Sequence, residues 1–226
     1  MPARRFCMKK GMTVIFDMDG VIFDSERAIL ECWLVLADKY GLKDLEEVFK
    51  KCIGTNDAQT AEIVESAYAP EFGEGIYDKL RKESSEIFHK KYDGVGLPIK
   101  PGVKELLDYL KDNNVPIGLA SSTKKATVER ELTEAGLIDY FDKIIGGDAV
   151  KISKPNPEIY LLACEAMGTE PEKAIAIEDS YNGVRAAKAA GMQCIMVPDI
   201  IPADDEMRSL TDAICGDLLE VKETLE

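Results

Sequence analysis

Five short apolar runs are spaced along the chain, and each is nearly continuous rather than alternating with polar residues. A continuous run of this length is typical of a strand buried on both faces, as in a parallel sheet between two helix layers. The runs predict strands at Thr13–Phe16, Ile117–Ala120, Lys143–Gly146, Ala174–Ile177 and Cys194–Val197.

Helical periodicity precedes and separates the last four runs. The predicted helices are Val103–Lys111, Lys124–Ala135, Pro157–Met167 and Tyr181–Ala190. Ser180 is a suitable N-cap for the last of them. This alternation of strand and helix predicts a doubly wound α/β domain.

The interval between the first two strands has a different pattern. It contains no convincing strand and instead predicts four helices, at Glu26–Tyr40, Leu45–Lys51, Asp57–Tyr68 and Gly75–Tyr92. We therefore predict a helical bundle inserted after the first strand. Linkers near Phe23–Ser25 and Asp93–Pro98 would join it to the α/β domain, and the second has the glycine and proline content of a hinge.

Composition and charge exclude several classes of protein. The chain has 226 residues and a formal net charge of −14, so nucleic-acid phosphates and anionic lipids would repel it. Since no apolar run approaches the ~20 residues of a membrane span, we expect no membrane partner. The six cysteines are scattered and no signal peptide is recognisable, so we expect reduced thiols in a cytoplasmic protein.

The first candidate for chemistry is a pair of carboxylates, Asp17 and Asp19, which follow the first predicted strand. Two residues apart in an extended chain, they would project to the same side, and Gly20 would leave them at the carboxyl end of the sheet. Such a pair requires a cation between the carboxylates or a proton on one of them. An acidic turn after a strand fits the same residues.

Hydroxyls and a lysine follow the second and third strands. Ser121, Ser122 and Thr123 could cap the next helix, and the same hydroxyls with the amides at the helix start could hold a phosphate. Lys154 precedes prolines that stiffen its loop, so it could neutralise a transferring phosphoryl group, although a lysine in a loop is commonly solvated.

The fourth strand ends in two adjacent carboxylates, Glu178 and Asp179. Hard oxygen ligands of this kind suit Mg²⁺, while Asp179 alone also fits a favourable position beside a helix N-terminus. All four groups of candidates follow predicted parallel strands in chain order. They should therefore meet at one edge of the sheet, where open α/β folds bind ligands.

These four groups, DMDGV, SST, KP and EDS, resemble the four motifs of the haloacid dehalogenase superfamily. The likeness covers almost the whole chain and is greatest to the branch with a helical cap, which includes sugar-phosphate phosphatases and β-phosphoglucomutase. The resemblance implies a Rossmann-like parallel sheet core at residues 1–24 and 97–226, with an all-helical cap domain at residues 25–96. It also implies Mg²⁺-dependent hydrolysis of a small phosphorylated metabolite, such as a sugar or polyol phosphate.

The same resemblance assigns roles to residues. Asp17 would be the nucleophile that forms an aspartyl-phosphate, and Asp19 would be the general acid and base. Ser121, Ser122 and Lys154 would hold the phosphoryl oxygens.

Magnesium ligands also follow from the resemblance. Mg²⁺ would be bound by the carboxylates of Asp17 and Asp179 and by the backbone carbonyl of Asp19. Glu178 would be a further ligand, either directly or through a water molecule.

Two other functions stay open, namely β-phosphoglucomutase-type phosphotransfer and a non-catalytic module that binds a ligand. The cap histidine and cap arginine of mutases correspond here to Ile29 and Asp57, so hydrolysis of a monophosphate is favoured. The intact carboxylate pair favours an enzyme over a binding module. Asn56 and Asp57 fit either helix capping or hydrogen bonds to sugar hydroxyls, and the sequence gives no indication of oligomeric state.

Overall fold

A computed structural model describes residues 11–53, 55 and 57–226 of the chain. The chain divides into two compact units, one comprising the part up to Asp24 with Ile99–Glu226, the other Ser25–Pro98. The boundaries thus fall after residues 24 and 98, whereas the sequence predicts boundaries after residues 24 and 96. Among the described residues, no helix is both long and apolar enough to cross a membrane.

The larger unit is built on a six-stranded sheet in the order β3-β2-β1-β4-β5-β6, in which each pair of neighbours is parallel. The strands are β1 (Thr13–Phe16), β2 (Ile117–Ala120), β3 (Lys143–Ile145), β4 (Ala174–Glu178), β5 (Gln193–Met196) and β6 (Ala213–Ile214). Every residue of β1, β2 and β4 is buried, which explains their continuous apolar sequences. The predicted Rossmann-like α/β fold is confirmed.

The register of the sheet aligns the ends of its three central strands. Phe16, the last residue of β1, pairs with Leu119 on one side and with Ile177 on the other. The residues that follow, including Asp17 and Glu178, therefore emerge at the same level of the sheet edge. This is the edge at which the sequence predicts the site.

The smaller unit, Ser25–Pro98, contains four helices and, among its described residues, no strand. They are α1 (Ser25–Tyr40), α2 (Leu45–Cys52), α3 (Asp57–Phe72) and α4 (Ile76–Tyr92). Helix α3 continues through Pro70, so it is longer than predicted. Buried Val64, Tyr68 and Leu80 form part of the core of this unit.

In the described part of the larger unit, six α-helices flank the sheet. They are α5 (Val103–Asp112), α6 (Lys125–Glu134), α7 (Glu158–Met167), α8 (Tyr181–Ala189), α9 (Asp205–Leu210) and α10 (Leu218–Leu225). Ser180 caps α8 as predicted, because its side chain accepts a hydrogen bond from the N–H of Gly183. The sequence pattern does not predict helices α9 and α10 or strand β6.

Candidate active site

Asp17 lies immediately after β1 and is 7% exposed. Its N–H donates to the carbonyl of Ile177 at 2.9 Å, which ties the loop to β4. The carbonyl of Met18 accepts the N–H of Ile22 at 2.8 Å, so the chain coils directly after the strand. Strand β1 ends at Phe16, so the loop that follows it positions the side chains of Asp17 and Asp19. That these two side chains project to the same side stays a prediction.

Gly20 allows this coil to approach the end of β4 closely. Its φ is +75°, in the left-handed region, and a Cβ at this position would lie 2.2 Å from Oδ2 of Asp179. A side chain here would collide with a carboxylate that the sequence predicts as a metal ligand. Glycine at this position thus serves the site as well as the turn.

Lys154 is buried between two carboxylates and is not a solvated loop lysine. Its ammonium nitrogen lies 2.7 Å from Oδ1 of Asp17 and 2.6 Å from Oε1 of Glu178. It also donates to the carbonyl oxygen of Ala120 at 3.3 Å. An ammonium group has three N–H donors, so all three are engaged.

The site has more negative than positive charge. Burial raises the pKa of Asp17 to about 8 although Lys154 opposes this, and the charges of Glu178 and Asp19 raise it further. Burial alone would lower the pKa of Lys154, but the charges of Asp17 and Glu178 raise it above its ordinary value. Lys154 therefore remains charged, and a further cation is the simplest way to keep Asp17 ionised at neutral pH.

Asp17, Glu178 and Asp179 are all buried, and each offers a carboxylate oxygen within 4.8 Å of the others. This donor set consists of hard oxygens in a site short of positive charge, so the residues fit Mg²⁺. The carboxylate of Asp19 is not part of this cluster. The ligand predicted from Asp19 is its backbone carbonyl, and that stays a prediction.

Glu178 is fully buried, and a residue that the sequence analysis did not select holds it in place. The hydroxyl of Tyr160, on α7, donates to Oε1 of Glu178 at 2.6 Å. The other oxygen, Oε2, accepts from the N–H and the hydroxyl of Ser180 at 3.3 and 3.2 Å. Burial and the charge of Glu178 raise the pKa of Tyr160 well above its ordinary value, so it remains a donor.

The hydroxyls after β2 do not cap α6, which corrects one of the predicted alternatives. The first N–H of α6, at Lys125, donates instead to the carboxylate of Asp148 at 2.8 Å. The buried Ser121 hydroxyl accepts the N–H of Thr123 at 3.0 Å, and the Thr123 hydroxyl donates to Oδ2 of Asp19 at 2.9 Å. The sequence predicts Thr123 only as a helix cap or a phosphate contact, and its hydrogen bond to Asp19 is a role that the sequence does not indicate.

The structure brings only some of the predicted site residues together. Asp17, Lys154, Glu178 and Asp179 form one buried cluster. The side chain of Ser122 is exposed, and within the described part of the chain no hydrogen bond links it to that cluster. In the smaller unit, Asn56 lies outside the described residues.

Comparisons with known proteins indicate which family the chain is similar to. The profile of the family described as haloacid dehalogenase-like hydrolase matches residues 14–197. A phosphorylated carbohydrates phosphatase of Thermotoga maritima is 32% identical over 213 residues, covering 94% of this chain and 95% of the relative. Hexitol phosphatase B of Escherichia coli is 29% identical, covering 92% and 96%. A crystal structure from Thermotoga maritima, provisionally assigned as a β-phosphoglucomutase, matches with a TM-score of 0.72 and 31% identity, covering 95% and 100%.

Proposed function

The chain belongs to the haloacid dehalogenase-like hydrolases, and we propose that it is a Mg²⁺-dependent phosphatase of a sugar or polyol phosphate. The predicted enzyme class, a phosphomonoesterase of this superfamily, is confirmed by the family match and the phosphatase relatives. One observation supports the mechanism above all: Lys154 is held between Asp17 and Glu178 in a buried carboxylate cluster at the sheet edge.

In this proposal an oxygen of the Asp17 carboxylate attacks phosphorus. The bond from phosphorus to the substrate oxygen breaks, and Asp19 transfers a proton to the departing alcohol. A water molecule then attacks the aspartyl-phosphate, Asp19 takes its proton, and inorganic phosphate leaves as the Asp17 carboxylate is restored. The hydrogen bond from Thr123 fixes the orientation of Asp19, which is only partly buried and so can reach substrate and water.

Mg²⁺ would be held by Asp17, Asp179 and the backbone carbonyl of Asp19, and it supplies positive charge beside the phosphoryl oxygens. Because both oxygens of Glu178 already accept hydrogen bonds, we favour its contact with the ion through water. To turn toward the phosphoryl group, Lys154 would break its longest hydrogen bond, which it donates to the Ala120 carbonyl oxygen.

The proposal is tested by hydrolysis of p-nitrophenyl phosphate after chelation of metal and after addition of Mg²⁺. We expect Mg²⁺ to restore turnover, and Asp19→Asn to lower kcat by about 10²–10⁴-fold because proton transfer to the leaving group is lost. Asp205→Asn, an exposed change on α9, is the matched control and should leave kcat unaltered.

Two outcomes would favour the alternatives. Absence of turnover in the wild type with Mg²⁺ would indicate a binding module without catalysis. Conversion of β-glucose 1-phosphate to glucose 6-phosphate would indicate the mutase function. This function is the second candidate because the similar crystal structure from Thermotoga maritima is provisionally assigned as a β-phosphoglucomutase.

Tyr160→Phe should lower kcat by about 10–150-fold, since a hydrogen bond to a charged group contributes roughly 1.5–3 kcal/mol. The variant removes only the hydroxyl that positions Glu178, so we expect a higher half-saturating Mg²⁺ concentration and a nearly unchanged KM. Tyr181→Phe is the control, because that hydroxyl donates to the Pro202 carbonyl at the surface. Equal effects of the two changes on Mg²⁺ dependence would contradict a positioning role for Tyr160.

We also propose a cytoplasmic location and no nucleic-acid partner. The net charge of −14 supports the second point. The first is supported by the cysteines, because all five in the described part of the chain are unpaired. Cys7 lies outside the described residues.

A further inference from the structure

The loops that follow β2 and β3 are joined by two hydrogen bonds. The N–H of Gly147 donates to the carbonyl oxygen of Thr123 at 2.8 Å. Oδ1 of Asp148 accepts the N–H of Lys125 at 2.8 Å. We call this pair of hydrogen bonds the inter-loop contact. It holds the chain on either side of Lys124, where the loop after β2 enters α6.

Two glycines allow the backbones of these loops to approach each other closely. A Cβ on Gly147 would lie 2.0 Å from the carbonyl oxygen of Ser122, and a Cβ on Gly146 would lie 2.3 Å from the backbone nitrogen of Lys125. Neither glycine has a φ in the left-handed region, so glycine is required here by the lack of space and not by the backbone conformation. Both glycines after β3 therefore serve the inter-loop contact.

Asp148 contributes a charge to this contact although its side chain is exposed. The hydrogen bond from the N–H of Lys125 lowers the pKa of Asp148, and the positive charges of Lys124 and Lys125 lower it as well. The carboxylate is therefore ionised at neutral pH, and the dipole of α6 favours an anion at the start of the helix. A hydrogen bond to a charged acceptor is stronger than one between neutral groups, so the charge strengthens the inter-loop contact.

The inter-loop contact orients the residue that binds the proposed general acid. The N–H of Thr123 donates to the buried hydroxyl of Ser121 at 3.0 Å, while its carbonyl accepts from Gly147. With its backbone held at both groups, Thr123 directs its hydroxyl to Oδ2 of Asp19 at 2.9 Å. Asp19 lies in a loop and is only partly buried, so a contact of this kind restricts the orientation of its carboxylate.

We propose that Gly147 and Asp148 are positioning residues for the proton transfer by Asp19. They hold the loop from which the Thr123 hydroxyl reaches that carboxylate. This inference rests on the proposed phosphatase function. Neither residue takes part in the chemical step, since both act through Thr123. Loss of the inter-loop contact should therefore slow phosphoryl transfer most for those substrates whose leaving group needs a proton.

The first test compares kcat/KM for glucose 6-phosphate with kcat/KM for acetyl phosphate. The alcohol of glucose needs a proton as it leaves, whereas acetate is a weak base and leaves as the anion. Asp148→Ala should lower kcat/KM about tenfold for glucose 6-phosphate and less than about twofold for acetyl phosphate, because proton transfer contributes about 10²–10⁴-fold and is only partly lost. Asp148→Asn keeps an oxygen that can accept the N–H of Lys125, so it should restore most of the loss.

Asp217→Ala is the matched control for the loss of a helix cap. The side chain of Asp217 accepts the N–H of Glu220 at 2.9 Å and caps α10, as Asp148 does for α6, but it is not part of the candidate site. Both alanine variants should lower Tm by roughly 2–4 °C. Only Asp148→Ala should change the ratio of the two kcat/KM values, since a purely structural role would affect both substrates equally.

Gly147→Ala disturbs the same contact without removing a charge, and it tests the inference if Asp148→Ala fails to fold. Its Cβ would collide with the carbonyl oxygen of Ser122, so the two loops must separate. The ratio of the kcat/KM values should change in the same direction, by about tenfold. Gly216→Ala is the control, because its Cβ would meet the flexible carboxylate of Glu220 at 3.3 Å and no backbone.

A double-mutant cycle tests whether Asp148 acts through Thr123. Thr123→Val keeps the shape of the side chain and removes its hydroxyl, so it should lower the same ratio about tenfold. Asp148→Ala should then lower the ratio no further, because both changes remove one hydrogen bond to Asp19. Independently of turnover, the N–H of Lys125 should exchange with solvent at least about tenfold faster in Asp148→Ala than in the wild type.

Three results would overturn the inference. They are a ratio insensitive to Asp148→Ala, additive losses from Thr123→Val and Asp148→Ala, and equal effects of Asp148→Ala and Asp217→Ala on the ratio. A wild type that hydrolyses neither phosphate compound would contradict the proposed function and the inference with it. Unaltered hydrogen exchange at Lys125 would contradict the inter-loop contact alone.

Discussion

Asp17→Asn should abolish phosphatase turnover and at the same time make the metal-free protein more stable toward heat at mildly alkaline pH. The loss of turnover follows because an amide cannot replace the carboxylate nucleophile, and we expect kcat to fall by about 10³-fold or more. The gain in stability follows from the buried cluster, since the variant removes one of its negative charges and Lys154 keeps Glu178 as its partner.

The sign of the pH dependence follows from the pKa of Asp17, which folding raises from 3.8 to about 8. Between these values the folded protein retains a proton that the unfolded chain has released, so the free energy of unfolding falls as pH rises. This loss of stability is absent below the pKa of Asp17 in the unfolded chain and complete above its pKa in the folded protein. The amide of the Asp17→Asn variant does not titrate and causes no such loss. The difference in the free energy of unfolding between variant and wild type should therefore grow from about pH 4 to about pH 8.

Thermal unfolding in chelator across this pH range tests the prediction. A gain on the order of 1–2 kcal/mol above pH 8 corresponds to a rise in Tm of roughly 2–8 °C for a chain of this size. Mg²⁺ should then raise the Tm of the wild type more than that of the variant, because ligand binding to the folded state stabilises it. A variant that is less stable than the wild type at every pH would contradict the excess of negative charge in the cluster.

The sequence predicts the sheet and the candidate site well where the physical signal is local. Strands β1, β2 and β4 are buried on both faces, so their sequences are continuously apolar and easy to recognise. The parallel register then brings Asp17 and Glu178 to the same sheet edge. By contrast, β6 has two residues and α9 has six, and both are too short to show a period.

The contacts that the sequence cannot reveal are those between distant segments. Asp148 reaches the start of α6 from another loop, which leaves Thr123 available to Asp19. Tyr160 looks like any core tyrosine of a helix until packing places its hydroxyl on Glu178.

Lys154→Met should destabilise the protein by about 3–5 kcal/mol, because it leaves buried carboxylates without their cation. The side chains of Lys154 and Asp17 are only 7% and 10% exposed, and that of Glu178 is fully buried. Turnover should also fall by about 10²–10³-fold, since the charge beside the phosphoryl group is lost.

Urea unfolding of a double-mutant cycle isolates the buried contact from other effects of the substitution. In the Lys154→Met background, Glu178→Gln removes one uncompensated charge and keeps an oxygen for the Tyr160 hydroxyl, so it should recover at least ~1 kcal/mol. Lys188→Met is the matched control: its lysine lies 2.8 Å from Asp212, but the two side chains are 27% and 35% exposed. Water screens such a pair, and its loss should cost less than ~1 kcal/mol. Equal losses from the two lysine changes, or no recovery in the double variant, would show that burial of the charges does not determine the stability of the site.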